Sequence, residues 1–251
     1  MVRVAAEFAD QVVVVTGAAQ GLGLAVARKF ADAGAVVFMT DIQAEKLGAA
    51  AAALSKGGGR VHAVAVDGAD PDSLRGLRAT IERVAGDRLD ALINNAGGWR
   101  YGTAKEITTS DWSWTFRVNV DTVFFTTQAL MDLMIARRYG RIVNVASSDA
   151  YRPKVKLPHY AAAKAAVVSL TKSLAEELAP HEILVNGVSP GAMLTETARQ
   201  QNWLAERIKT IPLGRAAEPD EMADLILFLA SPRNRFMAGE TVIANGGLWM
   251  V

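Results

Sequence analysis

The sequence predicts an α/β fold in which one doubly wound parallel sheet of about seven strands carries helices on both faces. Three observations lead there. Short β-branched runs alternate with longer stretches of helical spacing along the chain. Several of the short runs are apolar at nearly every position, as in Val12-Val13-Val14-Val15, and strands apolar on both sides belong in a sheet covered on both faces. Strand–helix alternation then implies parallel pairing through right-handed crossovers.

Strands are expected at residues 12–16, 36–40, 61–66, 89–94, 141–146, 184–189 and 241–244, with helices at 22–33, 43–54, 71–84, 111–138, 160–178 and 219–230. The breakers agree. Gly34 follows the first helix, and Gly57-Gly58-Gly59 follows the alanine-rich second. Pro71 suits the first turn of the third, with Asp70 before it as an N-cap. Residues 1–251 read as one domain, without linker, repeat or low-complexity tail. The polar stretch around 192–213, which carries Trp203, is expected to be a flap.

Composition excludes several function classes. In 251 residues, 51% hydrophobic and 21% charged, there is enough apolar matter for a full core. The net charge of +1 gives no general attraction for nucleic acid or an anionic membrane. Without cysteine there is no disulfide, thiol nucleophile or thiolate metal site, and His62, His159 and His181 are too scattered to suggest zinc. No metal is expected. Residues 1–10 lack the apolar run of a signal peptide, and runs such as 225–230 are too short to span a bilayer. The expected location is cytoplasmic.

Thr16-Gly17-Ala18-Ala19-Gln20-Gly21-Leu22-Gly23 joins the first strand to the first helix. A dinucleotide pyrophosphate must approach bare backbone N–H groups at a helix N-terminus, and side chains at Gly17, Gly21 or Gly23 would obstruct the turn, the approach or the helix–strand packing. Asp41 ends the second strand, 20 residues past Gly21. A carboxylate there accepts hydrogen bonds from a ribose diol and repels a 2′-phosphate. Neither Ile42 nor Gln43 adds a cation, nor does Gln20 in the loop. The expected cofactor is therefore NAD(H) rather than NADP(H).

These residues, with others in order, give the chain a resemblance to the short-chain dehydrogenase/reductase family over nearly its whole length. Asn94-Asn95-Ala96-Gly97 is similar to that family's N-N-A-G element, and Asn119 to its helix asparagine. Ser147 precedes Tyr160 by 13 residues, Tyr160-Ala161-Ala162-Ala163-Lys164 resembles its Y-x-x-x-K motif, and Pro190-Gly191 with Thr195 resembles its nicotinamide-side loop. The resemblance implies a Rossmann-type fold, cofactor contacts from Gly17, Gln20, Gly21, Leu22, Gly23, Asp41, Ile42, Gly68, Asn95, Ala96, Gly97, Tyr160, Lys164, Pro190, Gly191 and Thr195, and a homo-oligomer, often a tetramer. Asp67 matches a position that contacts adenine; a strand-end cap is the competing reading. Two local departures are Asn245 before Gly246-Gly247, where an aspartate is usual, and His181-Glu182, where a glycine commonly ends a helix.

Tyr160 and Lys164, four apart on a helix, share a face. A phenol has a pKa near 10, and bringing it down by about 3 units requires roughly 4 kcal/mol; the Lys164 ammonium and a cationic nicotinamide ring are the expected sources. Tyr160 is then the general acid/base, Ser147 the hydrogen-bond donor to the substrate oxygen, and Lys164 the holder of the nicotinamide ribose. By the resemblance, Asn119 positions a water that links Lys164 to solvent. Trp99, Tyr151, Leu157, Met193 and Trp203 are expected to wall the substrate pocket. Arg100, Arg152, Lys154 and Lys156 form a local positive excess able to hold a carboxylate, a phosphate or an acyl carrier, although Lys154 and Lys156 are expected to face water. The apolar C-terminal residues 248–251 are expected at a subunit contact.

The expected function is NAD(H)-dependent interconversion of a secondary alcohol and a ketone. Alternatives are a 3-oxoacyl-thioester reductase, a sugar or cyclic-diol dehydrogenase and, outside enzymes, an NAD(H)-sensing regulator.

Overall fold

The computed structural model describes residues 7–250; the start of the N-terminal segment considered above and Val251 lie outside them. Seven strands form one parallel sheet: β1 Val12–Thr16, β2 Val36–Asp41, β3 Arg60–Ala65, β4 Ala91–Asn94, β5 Gly140–Val145, β6 Ile183–Pro190 and β7 Thr241–Ala244. Their order is β3-β2-β1-β4-β5-β6-β7. The winding therefore reverses between β1 and β4, and a crevice opens at the carboxyl ends of those two strands.

The valine run shows why the sheet is covered twice. Side chains alternate across a strand. Val13 and Val15 point into one apolar cluster, with α1 (Gly21–Asp32), α2 (Ala44–Lys56) and α9 (Pro219–Ala230), while Val12 and Val14 point into the other, with α3 (Pro71–Ala85), α5 (Thr122–Ile135) and α6 (Pro158–Leu178). Each fully buried valine contributes roughly 1.5–3 kcal/mol relative to exposure. The expected cap on α3 is present: the Asp70 carboxylate accepts the Ser73 N–H at 2.9 Å.

The long helix expected at 111–138 is not continuous. It divides into α4 (Thr109–Phe116), a widened π turn at Arg117–Asp121, and α5. In the widened turn the fully buried Asn119 Nδ2 donates to the Thr115 carbonyl at 2.9 Å. Such a turn is a local interruption that hydrophobic periodicity does not register. The region around 192–213 contains two short helices, α7 (Glu196–Arg199) and α8 (Trp203–Ile208).

At the opposite end of the sheet, Asp90 is 2% exposed. Its carboxylate accepts the Val12 N–H at 2.7 Å and meets Arg88 at 2.6 Å and Arg137 at 3.1 Å. Asp90→Ala would leave a buried N–H and two guanidinium groups without their acceptor. It should lower unfolding stability by about 3 kcal/mol, read from urea denaturation.

Candidate active site

The glycine loop is held by its neighbour on β4. Thr16 Oγ1 accepts the N–H groups of Asn95 and Ala96, both at 3.0 Å, and Asn95 Nδ2 donates to the carbonyls of Thr16 and Gly17 at 3.0 and 3.1 Å. Gly17 adopts φ +63°, and a Cβ there would meet the Ala96 backbone at 2.9 Å. A Cβ on Gly23 would collide with the Gly17 carbonyl. Gly21 differs: it has φ +57° but faces only Thr195, so the space in front of it is open. Gln20 caps α1 without a side-chain hydrogen bond, which leaves first-turn N–H groups of α1 for an external acceptor. Leu22 is buried behind the loop and Ile42 is 73% exposed at its rim.

Asp41 stands over this loop. One carboxylate oxygen accepts the Ala19 N–H at 3.2 Å, the other the Gln43 N–H at 3.0 Å. The fold also supplies a cation that reading along the sequence missed. Lys46 Nζ, in the first turn of α2, hydrogen-bonds Gln20 Oε1. Its approach to the loop is set by how α2 packs against the sheet, which no local pattern records. Asp67 is largely engaged: Oδ1 accepts the Ala69 N–H at 2.9 Å and Oδ2 pairs with Arg117 at 2.6 Å. Against partial burial, those two contacts hold its carboxyl below the usual range. Gly68 lies against Thr122 and Thr126 of α5. From β6, Pro190 leads to Gly191, whose N–H bonds the Ala244 carbonyl at 2.9 Å, and then to Thr195, which caps α7 through the Ala198 N–H at 3.1 Å.

Two of the proton-transfer candidates, Asn119 and Lys164, meet beside Gly97. A Cβ on Gly97 would lie 2.6 Å from Asn119 Oδ1 and 3.2 Å from Lys164 Nζ. Asn119 also donates to the Gly98 carbonyl at 2.8 Å, and Lys164 donates to the Val145 carbonyl at 2.8 Å. Lys164 Nζ lies 5.8 Å from the Tyr160 ring centroid. Ser147, just past β5, accepts the Asp149 N–H at 3.1 Å and lies close enough to the Tyr160 phenol to favour its ionised form. A buried ladder places these elements: Asn94 bonds Thr127 and Asn144, and Asn144 bonds Thr171 on α6, all at 2.9–3.0 Å.

Electrostatically the site differs from expectation. Burial raises the Tyr160 phenol above its ordinary value, Ser147 offsets part of that, and the nearby Asp149 charge adds to it. Burial also pushes Lys164 down to about 8. Withdrawal from water therefore outweighs the expected downward pull of the ammonium on the phenol.

The pocket wall is revised in part. Trp99 stands with its ring centroid 6.1 Å from that of Tyr160, at 65°. Tyr151 lies in the short 3-10 turn after Ser147, and Leu157 is buried at the start of α6. Met193 instead packs against the main core cluster, and Trp203 against Ala198, Leu204 and Ala216 beneath the flap. Periodicity cannot tell a loop's lining from its own small core. Arg100 pairs with Asp111 at 2.9 Å and lies over the Trp114 ring. Lys154 does not face water: its side chain is 15% exposed and its ammonium meets Asp149 at 3.1 Å. His159, beside Tyr160, is fully buried with neither ring nitrogen paired among the described residues.

Residues 11–204 match the short chain dehydrogenase family. The chain belongs to the short-chain dehydrogenase/reductase family. It is 36% identical over 242 residues to a 3-oxoacyl-[acyl-carrier-protein] reductase of Aquifex aeolicus, covering 95% of this chain and 97% of that one. It is also 36% identical over 243 residues to a cyclopentanol dehydrogenase of Comamonas sp., covering 95% and 96%. A short-chain type dehydrogenase/reductase from Mycobacterium marinum superposes with a TM-score of 0.93 at 32% identity, covering 98% of each chain. The chain is therefore an oxidoreductase of the short-chain dehydrogenase/reductase family with a Rossmann-like fold. This family generally uses NAD(H) or NADP(H). Both sequence departures have local physical accounts. Asn245 accepts the Gly247 N–H at 3.1 Å and donates to the Trp249 carbonyl at 2.8 Å, which fixes the C-terminal turn. Glu182 takes φ +62° where glycine is easiest, with its carboxylate on Arg138 at 3.0 Å.

Gly97→Ala should displace Asn119 or Lys164 and reduce turnover by about a hundredfold or more while the protein stays folded; steady-state kinetics and circular dichroism together check this. The depressed Lys164 has a signed consequence for stability. Between about pH 8 and 10 the unfolded chain holds this proton and the folded chain releases it, so folding gains stability as pH rises. Wild type should gain on Lys164→Met across that window by at most about 1.4 kcal/mol per pH unit in urea unfolding.

Proposed function

We propose that this oxidoreductase interconverts a secondary alcohol and a ketone with NAD(H), using Tyr160 as general acid/base. The observation that carries the proposal is that Asn119 and Lys164 flank Gly97, with Lys164 Nζ 5.8 Å from the Tyr160 ring centroid and Ser147 beside that phenol. The open space before Gly21 and the uncapped start of α1 fit a pyrophosphate, with Gly17, Gly21, Leu22 and Gly23 nearest it. Asp41 fits a ribose diol. Asp67, already paired with Arg117, would keep its remaining capacity for adenine. Thr195 approaches the loop from the opposite side.

Bound NAD(H) would supply or accept the hydride; the proton chemistry belongs to the chain. A phenol held protonated by burial is suited to give its proton to a carbonyl oxygen as that oxygen gains charge. The Ser147 hydroxyl stabilises the same oxygen. Lys164 replenishes the proton, with Asn119 positioning a water as its route to solvent. Oxidation requires the phenolate, so its rate should climb with pH from 7 to 10, whereas reduction should hold level near neutrality.

Asp41 favours NAD(H), and Lys46 supports a second reading in which NADP(H) is tolerated, its ammonium offsetting the carboxylate near a 2′-phosphate. The resemblance to the Aquifex aeolicus reductase supports the 3-oxoacyl-thioester alternative, and the Comamonas enzyme supports a cyclic alcohol. An NAD(H) sensor would not need the proton-transfer set. We further propose one cytoplasmic domain that assembles as a homo-oligomer, a tetramer by resemblance. No helix among the described residues is long and apolar enough to cross a membrane. The edge strand β7 borders an open groove of about 590 Å³ lined by Leu213, Ile243, Trp249 and Met250, apolar surface suited to a second copy.

Absorbance of the reduced nicotinamide, followed with a panel of ketones and alcohols and both cofactors, tests the reading. Tyr160→Phe should cut turnover at least about a thousandfold yet keep NADH affinity within a factor of about three; near wild-type turnover would overturn it. Asp41→Ala should raise the Kd for NADH about tenfold and alter maximal rate little; an unchanged Kd would refute the NAD assignment.

A further inference from the structure

Between Ser147 and Tyr160 the chain folds three charged side chains against one another. The Asp149 carboxylate meets Arg152 Nε at 3.3 Å through one oxygen and Lys154 Nζ at 3.1 Å through the other. All three side chains are only 15% exposed. Arg207, half-buried on α8 of the flap, lies within electrostatic reach of Arg152, Asp149 and Tyr101. It makes no ion pair with a carboxylate among the described residues. Three cations thus share one carboxylate, leaving two positive charges uncompensated in a chain whose total is +1. Exposed lysines and arginines need no partner, but crowded and desolvated ones do.

The cluster adjoins the reacting centre. The Asp149 N–H donates to Ser147 Oγ, and the Asp149 charge is felt by the Tyr160 phenol. Lys154 and Arg207 are both pushed below their ordinary values, chiefly by burial; Asp149 offsets part of this and neighbouring cations add to it. An added anion would relieve both effects. The cluster also joins two separate elements, the segment before α6 and the flap helix α8, so an anion between them would tie the flap over the site.

We propose that Arg152, Lys154 and Arg207 bind an anionic group of the substrate, a carboxylate or a phosphate carried near the carbonyl that is reduced. This deepens the ketone–alcohol reading above and rests on it. Guanidinium and ammonium groups that are partly desolvated bind oxyanions through short, charge-assisted hydrogen bonds. Asp149 then acts as a positioning residue that holds Arg152 and Lys154 side by side.

The test compares matched substrates at saturating cofactor: 3-oxobutanoate with its methyl ester, and dihydroxyacetone phosphate with dihydroxyacetone. The better anionic member should exceed its neutral partner in kcat/KM by about tenfold or more, and the pair in which this occurs distinguishes carboxylate from phosphate. Arg152→Gln, Lys154→Met and Arg207→Gln should each erase most of that advantage through KM, lowering kcat/KM of the anionic member about tenfold more than that of its neutral partner. Equal kcat/KM within both pairs, or variants that lower anionic and neutral substrates alike, would overturn the proposal. Should the variants fail to fold, wild type decides: succinate or inorganic phosphate must inhibit competitively against a neutral ketone at saturating cofactor, and no such inhibition would overturn it. Failure of the underlying reading looks different, since then no ketone or alcohol is turned over with either cofactor.

Discussion

The functional end of this molecule depends on two backbones approaching more closely than side chains allow. The loop after β1 and the turn after β4 are in contact because Gly17 has no Cβ to strike Ala96 and Gly23 has none to strike Gly17. Two side chains lock the approach: Thr16 accepts two N–H groups of the β4 turn, and Asn95 donates to two carbonyls of the loop. These bonds satisfy backbone groups that would otherwise be lost in a tight turn. They also determine where Gly97 lies, and Asn119 and Lys164 flank Gly97. The start of α1, without a side-chain cap, and the Asn119–Lys164 pair are thereby held in one frame.

Within that frame, burial rather than attraction sets the resting chemistry. The phenol and the ammonium are both withdrawn from water, and each is driven toward its neutral form. Lys164 spends its hydrogen bond on the Val145 carbonyl, a neutral acceptor that cannot restore what hydration supplied. A site in this condition responds strongly to any charge brought into it, because few dipoles are free to screen the newcomer. A cation near the phenol would lower it; a carboxylate near the ammonium would raise it. The pH behaviour of the loaded enzyme should accordingly differ from that of the chain alone.

The sheet was legible because its determinants are local: four consecutive valines, a proline after an N-cap, glycines after helices. Six elements of the family pattern were legible because their chemistry demands particular residue types at particular separations. Three features were not. The π turn at Asn119, where a buried side chain bonds the Thr115 carbonyl, leaves the apolar periodicity intact. Met193 and Trp203 are large and apolar in a loop, and only the fold determines whether such residues face a ligand or a small core. The contact between Lys46 and Gln20 spans 26 residues, and the electrostatic influence of the Asp149 cluster on Arg207 spans more than 50. Charge summed along the sequence cannot reveal either.

Net charge is a poor guide here for a physical reason. Exposed pairs such as Arg28–Asp220 and Arg215–Glu221 are screened by solvent and nearly cancel, so they fix the total without shaping the field inside a crevice. The field at the phenol comes from the few charges that share its low-dielectric surroundings. On one side Asp149 acts on the phenol, with Arg152 and Lys154 paired to its carboxylate; at the rim of the glycine loop stand Asp41 and Lys46. On the anion-binding proposal, the two ends would differ in selectivity: a modest difference between a neutral diol and a phosphate at one, and an anion preference at the other. Discrimination between cofactors should then be weaker than Asp41 alone implies, and discrimination between substrates stronger than a chain with a charge of +1 suggests.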